Sequence, residues 1–202
     1  MYMFVRTESF REFIKSYPMI SIILMIHLII FIFTSVPYLD DLEWFEYLAG
    51  NNEMILAGEY WRLITPIFVH LGFSHILFNS FSLIIFAPAL ERTLGSFTFI
   101  IVYLVAGIAA NIATLLIQPA YFTHVGASGA IFGLFGIYLA FVFFKKGLIH
   151  SNDQQIIIPI AVVSVIMTFL QPNINITGHI FGLISGILIG KILVDTKFRK
   201  RI

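Results

Sequence analysis

The sequence predicts an all-α, polytopic membrane protein with six transmembrane helices, and three observations support this fold class. First, the 202 residues are 59% hydrophobic and only 11% charged, whereas a soluble domain carries about 25% charged residues. Second, basic residues cluster on one side of the threaded chain. Third, apolar runs close to the ~20 residues that a helix needs to cross a bilayer occur at about 19–36, 75–90, 97–117, 128–144, 156–171 and 177–194.

The placement of the basic residues predicts the orientation. Of the twelve lysines and arginines, all but Arg62 lie on one side when six spans are threaded. Cytoplasmic loops are enriched in these residues, so both termini are predicted to be cytoplasmic. Residues 1–18 then form a cytoplasmic N-terminal segment, 19–194 the six-helix membrane domain and 195–202 a basic cytoplasmic tail. Since no organelle-targeting sequence is recognised, a bacterial plasma membrane is the expected location.

Composition excludes several classes of function. The chain has no cysteine, which rules out structural disulfides, thiolate nucleophiles and cysteine-based metal sites. Its net charge of +1 gives no support for a nucleic-acid partner. Aspartate and glutamate are absent from the middle of the predicted spans, which argues against a proton-driven transporter. We expect no cofactor and no metal ion.

The first predicted outer loop, at about 37–74, is long, acidic and rich in aromatic residues. Tryptophan and tyrosine are typical of the membrane interface. The loop is therefore predicted to lie in the headgroup zone. Trp61 and Arg62, within it, are interpreted as structural residues.

Polar side chains within the spans are candidates for function, because hydrocarbon makes them costly. Spans 2, 4 and 6 all run from outside to inside, so the first residues of each lie near the outer face. His27 is instead in the middle of span 1 and is interpreted as a packing or interhelical residue. The polar residues near the outer ends of spans 2, 4 and 6 are His75, Asn79, Ser128 and His179.

Small residues predict that spans 4 and 6 pack closely. Facing stripes of small side chains allow two helix backbones to approach each other. Ser128 and His179 lie at the outer ends of these stripes. The stripes consist of Gly126, Gly129, Ala130, Gly133 and Gly136 in span 4, and of Gly178, Gly182, Gly186 and Gly190 in span 6.

A serine and a histidine at the same depth indicate nucleophilic catalysis. A neutral imidazole within hydrogen-bond reach can take the serine proton. No carboxylate is available at this depth to orient the ring, so a Ser128–His179 dyad is predicted rather than a triad. The first N–H groups of span 4, with His75 and Asn79 one turn apart on span 2, could bind an oxyanion. The alternative interpretation is that the glycines only pack helices, that Ser128 is one more small residue of this seam, and that Asn79 only joins spans.

In these residues the sequence resembles the rhomboid family of intramembrane serine proteases. The resemblance rests on Trp61-Arg62, on the segment from His70 to Asn79, on residues 91–95, on Gly126-Ala-Ser128-Gly129 and on Gly178-His179. It implies a six-helix rhomboid-like bundle with a long first outer loop. It also implies Ser128 as nucleophile, His179 as general base and the Ser128 N–H, His75 and Asn79 as the oxyanion site, supported by Gly126, Gly129 and Phe132.

Two positions depart from the family pattern. Phe132 stands where the family often has a tyrosine stacked on the imidazole, so the ring is kept and the hydroxyl is lost. Residues 91–93 read Glu-Arg-Thr, where the family has Glu-x-Arg. The second departure affects an ion pair rather than the predicted chemistry.

The predicted function is therefore cleavage of transmembrane segments of membrane proteins near the outer face of the bilayer. The expected partners are transmembrane protein substrates and the lipid bilayer. One alternative is an inactive relative that binds transmembrane helices without cutting them. A transporter or channel is a further alternative, which the lack of buried carboxylates disfavours.

Overall fold

A computed structural model describes residues 4, 6–36, 39, 41–172 and 174–198, and most of them are helical. The predicted tail residues 199–202 lie outside the described residues. Two 3-10 turns, Tyr60–Leu63 and Thr65–Ile67, precede the first long helix of the bundle. The α-helices are α1 (Phe10–Ser16), α2 (Pro18–Phe33), α3 (Asp41–Leu48), α4 (Asn52–Leu56), α5 (Phe73–Leu94), α6 (Ser96–Ile117), α7 (Ser128–Phe144), α8 (Ser151–Leu170) and α9 (Ile176–Thr196), and the strands are β1 (Gly50–Asn51) and β2 (Thr123–His124).

Four of these helices, α5, α6, α8 and α9, are long and apolar enough to cross a membrane. The helix α7 is apolar but shorter, at 17 residues. The pair α1 and α2 also passes the hydropathy criterion, but the two helices meet at an angle of 111°. The chain is thus an all-α membrane protein, with α2 leaving α1 at a sharp bend.

The start of α2 is held by a carboxylate from another helix. Pro18 occupies its first turn, where the absent N–H costs nothing. The next two N–H groups, of Met19 and Ile20, donate to the Glu91 carboxylate at 3.0 and 3.1 Å. Ser96 donates to the same carboxylate at 2.6 Å. A buried negative charge at a helix N-terminus is favourable, and Glu91 thereby joins α2, α5 and α6.

The helices α5 and α6 are separated by a single residue, Gly95. Its φ of 81° lies in the left-handed region that glycine adopts without strain. Lys197, just after α9, donates to the carbonyl oxygen of Leu94 in the last turn of α5. The end of α5 opposite to His75 is therefore anchored by both a carboxylate and an ammonium group.

The helix α7 lies at the centre of the bundle, and it packs most closely against α9. Two glycines of α9 face backbone rather than side chains of α7. A methyl group added at Gly182 would overlap the carbonyl oxygen of Gly129, and one added at Gly186 would overlap that of Gly133. The predicted seam between spans 4 and 6 is therefore present as direct backbone contact.

The predicted first outer loop is a structured segment built from α3, β1, α4 and the two 3-10 turns. Arg62 is buried at its centre and donates to the carbonyl oxygens of Glu46 and of Ala49, the latter at 2.7 Å. It also pairs with the Glu59 carboxylate at 2.5 Å. These bonds agree with the structural role predicted for Arg62, and they tie α3 to the 3-10 turns.

Strand pairing connects this outer segment to the chain that leads into α7. Gly50 of β1 pairs with His124 of β2, and Asn51 pairs with Thr123, in antiparallel register. The imidazole of His124 occupies the space in front of Gly50, where a side chain would collide with it at about 2.5 Å. The outer segment therefore fixes the position of the residues just before Ser128.

Helices occupy the six predicted spans, with shifts at several boundaries. The helix α5 extends to Leu94 instead of residue 90, because Glu91 finds hydrogen-bond donors and remains helical. The helix α8 begins at Ser151, five residues before the expected start, because its polar first turn belongs to the helix. The helix α2 ends at Phe33 rather than at 36.

Candidate active site

The side chains of Ser128 and His179 are hydrogen-bonded to each other. Ser128 Oγ lies 2.8 Å from His179 Nε2. Ser128 is the first residue of α7, and His179 lies in the first turn of α9. The close backbone contact between these helices brings the two side chains into reach.

The start of α9 is fixed by Asn175. Its Oδ1 accepts from the N–H of Gly178 at 2.9 Å, as expected for an N-cap residue. Its Nδ2 donates to Thr114 Oγ1 on α6 at 2.8 Å. The turn that carries His179 is thereby tied to a neighbouring helix as well as to α7.

The imidazole of His179 is held on its face and at its second nitrogen. Phe132 stacks on the ring, with centroids 4.2 Å apart and planes 17° apart. Thr168 Oγ1, in the last turn of α8, lies 2.9 Å from His179 Nδ1. His179 itself is buried. The ring therefore has a defined plane and a partner on each nitrogen.

His75 and Gly126 lie beside Ser128. Gly126 has a φ of 120°, and a Cβ atom there would come within 2.6 Å of His75 Nε2 and 3.7 Å of Ser128 Oγ. The N–H of Gly126 donates to the carbonyl oxygen of Pro66 at 2.8 Å. Glycine is required because any side chain would both strain the backbone and displace the imidazole of His75.

Asn79 lies one helical turn beyond His75 on α5 and is buried. Its Nδ2 donates to the carbonyl oxygen of His75 at 3.1 Å. One N–H of this amide is therefore used within the helix, and the second remains for another acceptor. The first N–H groups of α7, at Ser128 and the residues after it, are at a helix start and have no intrahelical acceptor.

Gly129 and two polar residues of the bundle, Asn111 and His27, have packing positions. A methyl group added at Gly129 would come within 2.8 Å of Ala110 Cβ, so this glycine belongs to the seam. Asn111 donates to the carbonyl oxygen of Leu63 at 2.9 Å. His27 is buried, and its ring contacts His70 with centroids 4.6 Å apart. Its position agrees with the predicted packing role.

Two residues near the site were not predicted to belong to it. The ring of His70 contacts that of His75, with centroids 5.1 Å apart. Burial lowers the pKa of His70 from its usual value, so this ring is neutral at pH 7. The other residue is Thr168. In the predicted threading, the last turn of span 5 lies at the same depth as Ser128, which gives the depth of Thr168 but not the face of the helix on which it lies.

The arrangement contains the elements of acyl transfer to serine. A hydroxyl faces an imidazole nitrogen, and it does so at the start of α7, where the first N–H groups have no intrahelical acceptor. Among the described residues, no group of three His, Cys, Asp or Glu side chains is arranged to hold a metal ion.

Comparison with known proteins gives consistent similarities. Residues 57–196 match the family model described as Rhomboid domain. The chain is 46% identical over 198 residues to "Putative rhomboid protease YdcA" of Bacillus subtilis, covering 98% of this chain and 100% of that protein. It is 39% identical over 138 residues to the rhomboid protease GluP of the same species, covering 68% of this chain and 27% of GluP. It is 29% identical over 179 residues to the rhomboid protease GlpG of Haemophilus influenzae, covering 85% of this chain and 88% of GlpG.

Proposed function

The chain belongs to the rhomboid family, and on that premise we propose that it is a serine endopeptidase that cleaves transmembrane segments of other membrane proteins. The observation that carries this proposal is the 2.8 Å hydrogen bond between Ser128 Oγ and His179 Nε2. In a family of intramembrane proteases, this bond supports Ser128 as nucleophile and His179 as general base.

Six membrane spans, α2 and α5 to α9, are part of the proposal. With six spans and the basic residues on the cytoplasmic side, both termini are cytoplasmic. The starts of α5, α7 and α9, with the end of α8, then form the outer layer of the protein. Cleavage takes place in that layer, in a bacterial plasma membrane, within reach of water from the outer face.

The proposed reaction proceeds in two stages. His179 Nε2 takes the proton of the Ser128 hydroxyl while Ser128 Oγ attacks the scissile carbonyl carbon. The carbonyl oxygen becomes an oxyanion that the Ser128 N–H, His75 and Asn79 stabilise. His179 then gives its proton to the leaving amine, and the peptide bond breaks to leave an acyl-enzyme. Water then gives a proton to His179 and attacks the ester carbonyl carbon, and His179 returns that proton to Ser128 Oγ as the ester bond breaks and the carboxyl product leaves.

A fluorophosphonate probe tests the proposed function. The purified protein should be labelled, and peptide mapping should place the label on Ser128, because only an activated serine reacts with the probe. The same preparation, reconstituted with a single-span substrate, should cut it within the span. An inactive relative that only binds helices would bind the substrate and take up no label. That outcome would overturn the proposal.

Asn79→Ala should reduce kcat by about 10-fold to 1,000-fold while the protein stays folded, since it removes one oxyanion donor among several. The measurement is cleavage of a reconstituted substrate, with thermal unfolding as a check on the fold. Asn111→Ala is the matched control: it also removes an amide with a backbone acceptor, but outside the site. Equal kcat in Asn79→Ala and wild type would refute the oxyanion role.

Substrates should carry weak helix formers near the outer end of their transmembrane segment. A peptide bond within a stable helix has its carbonyl oxygen engaged in hydrogen bonding, and Ser128 requires an unwound strand. Replacing Gly or Pro near the cleavage site by Leu should therefore lower kcat more than it weakens binding. Unchanged cleavage of an all-Leu segment at the same depth would show that the site accepts intact helices.

A further inference from the structure

The hydroxyl group of Thr168 makes two hydrogen bonds, and the direction of one determines the direction of the other. Thr168 Oγ1 lies 2.9 Å from the carbonyl oxygen of Ser164 and 2.9 Å from His179 Nδ1. A carbonyl oxygen can only accept, so the single hydroxyl hydrogen is directed to Ser164. The hydroxyl oxygen must then accept a hydrogen from Nδ1.

A protonated Nδ1 has a direct consequence for the other ring nitrogen. A neutral imidazole carries one hydrogen, so Nε2 is left with its lone pair. Nε2 is the atom that lies 2.8 Å from Ser128 Oγ. The opposite tautomer would direct an N–H at the serine, and His179 could then not accept the serine proton.

We propose that Thr168 is a positioning residue that holds His179 in the Nδ1–H tautomer required of a general base. In a Ser-His-Asp triad, a carboxylate has this task. No carboxylate is described within hydrogen-bond distance of His179, and Thr168 is its partner at Nδ1. The proposal rests on the proposed function, because it assumes that His179 acts as the base.

The burial of Thr168 differs from that of most of its helix, α8. Thr168 is fully buried, although α8 is the least buried of the four long apolar helices. Its neighbours Phe169 and Leu170 are exposed by 61% and 69%. Thr168 is thus turned into the bundle, toward the imidazole, at the end of a helix that is otherwise loosely packed.

Thr168→Val and Thr168→Ser form the test pair. Valine keeps the shape and removes the hydroxyl, so kcat for a reconstituted substrate should fall by about 10-fold to 100-fold with KM nearly unchanged. Fluorophosphonate labelling should slow by a similar factor. Serine restores the hydroxyl and should return kcat to within about 3-fold of wild type. Thr93→Val is the control, since Thr93 also bonds to a backbone carbonyl in its helix but lies at the opposite end of α5 from His75.

The outcomes separate this proposal from the proposed function. If wild type is neither labelled nor cleaves, the proposed function fails. If wild type is active and Thr168→Val is equally fast, or if Val and Ser slow it equally, the positioning role is wrong. Nitrogen-15 NMR of histidine-labelled wild type, with His179→Ala for assignment, covers the case in which Thr168→Val fails to fold. The expected result is a protonated Nδ1, and a protonated Nε2 would overturn the proposal.

Discussion

Replacing Ser128 or His179 by alanine should abolish proteolysis and leave a folded, membrane-inserted protein. Each change removes one partner of the 2.8 Å hydrogen bond, and the two residues act as a unit. We therefore expect each variant to lose about 10⁴-fold or more in kcat, and the double variant to lose no more than either single one. The measurement is cleavage of a reconstituted transmembrane substrate by purified protein.

Ser21→Ala is the matched control for the nucleophile. Ser21 is also a helical serine, and its hydroxyl donates to the carbonyl oxygen of Tyr17 at 2.9 Å, remote from His179. Its variant should cleave at the wild-type rate. Continued cleavage by Ser128→Ala, in a preparation free of other proteases, would show that the nucleophile is a different residue.

Gly182→Ala should both destabilise the protein and inactivate it. The added methyl group would overlap the carbonyl oxygen of Gly129, so α7 and α9 must move apart. Overpacking typically lowers the free energy of unfolding by about 1 to 3 kcal/mol. A clash with a backbone atom should lie at the upper end of that range, because the backbone cannot change rotamer. A displacement of about 1 Å between nucleophile and base can cost about 100-fold in rate. Thermal unfolding and labelling of Ser128 measure the two effects separately.

Gly107→Ala provides the comparison. Its added methyl group would come within 2.6 Å of Ile67 Cδ1, the end of a flexible side chain, and within 3.2 Å of Ala130 Cβ. Ile67 can change rotamer, so the destabilisation should be smaller and labelling of Ser128 should persist. Equal losses in both glycine variants would mean that direct contact of the α7 and α9 backbones is not what holds the site together.

The helices and the central pair of the site could be predicted from the sequence. Hydropathy marks the spans because the bilayer requires a minimum apolar length. The alternation of spans places Ser128 and His179 in one layer, and the repeated glycines indicate which helices are in contact. These arguments depend on periodicity and threading, and both can be determined from a single sequence.

The orienting partner of His179 could not be recognised in the same way. A threonine near the end of an apolar span costs little in lipid when it bonds to its own helix, as Thr168 does with Ser164. Its residue type therefore does not distinguish a site position from a lipid-facing one. The rotation of α8 about its axis decides whether Thr168 faces the bundle or the lipid, and tertiary packing sets that rotation.

The internal structure of the outer segment was also beyond prediction. Arg62 binds three oxygen atoms, from Glu46, Ala49 and Glu59, within 16 residues of its own position. Neither hydropathy nor spacing specifies which carbonyl oxygens a buried guanidinium will select. The strands β1 and β2 have two residues each, too few for an alternating pattern to be visible.

The hydrogen bonds to Glu91 also limit how far α5 can tilt before the proposed oxyanion donors on this helix, His75 and Asn79, are displaced. His75 and Glu91 are separated by about 24 Å along the helix axis, from a rise of about 1.5 Å per residue. A catalytic group must be held to within about 0.5 Å. Over the distance from Glu91 to His75, a displacement of that size corresponds to a tilt of the α5 axis of only about 1°. Three donors from α2 and α6 bind the Glu91 carboxylate. They hold this end of α5 in place and thereby restrict movement of the other end, which carries His75.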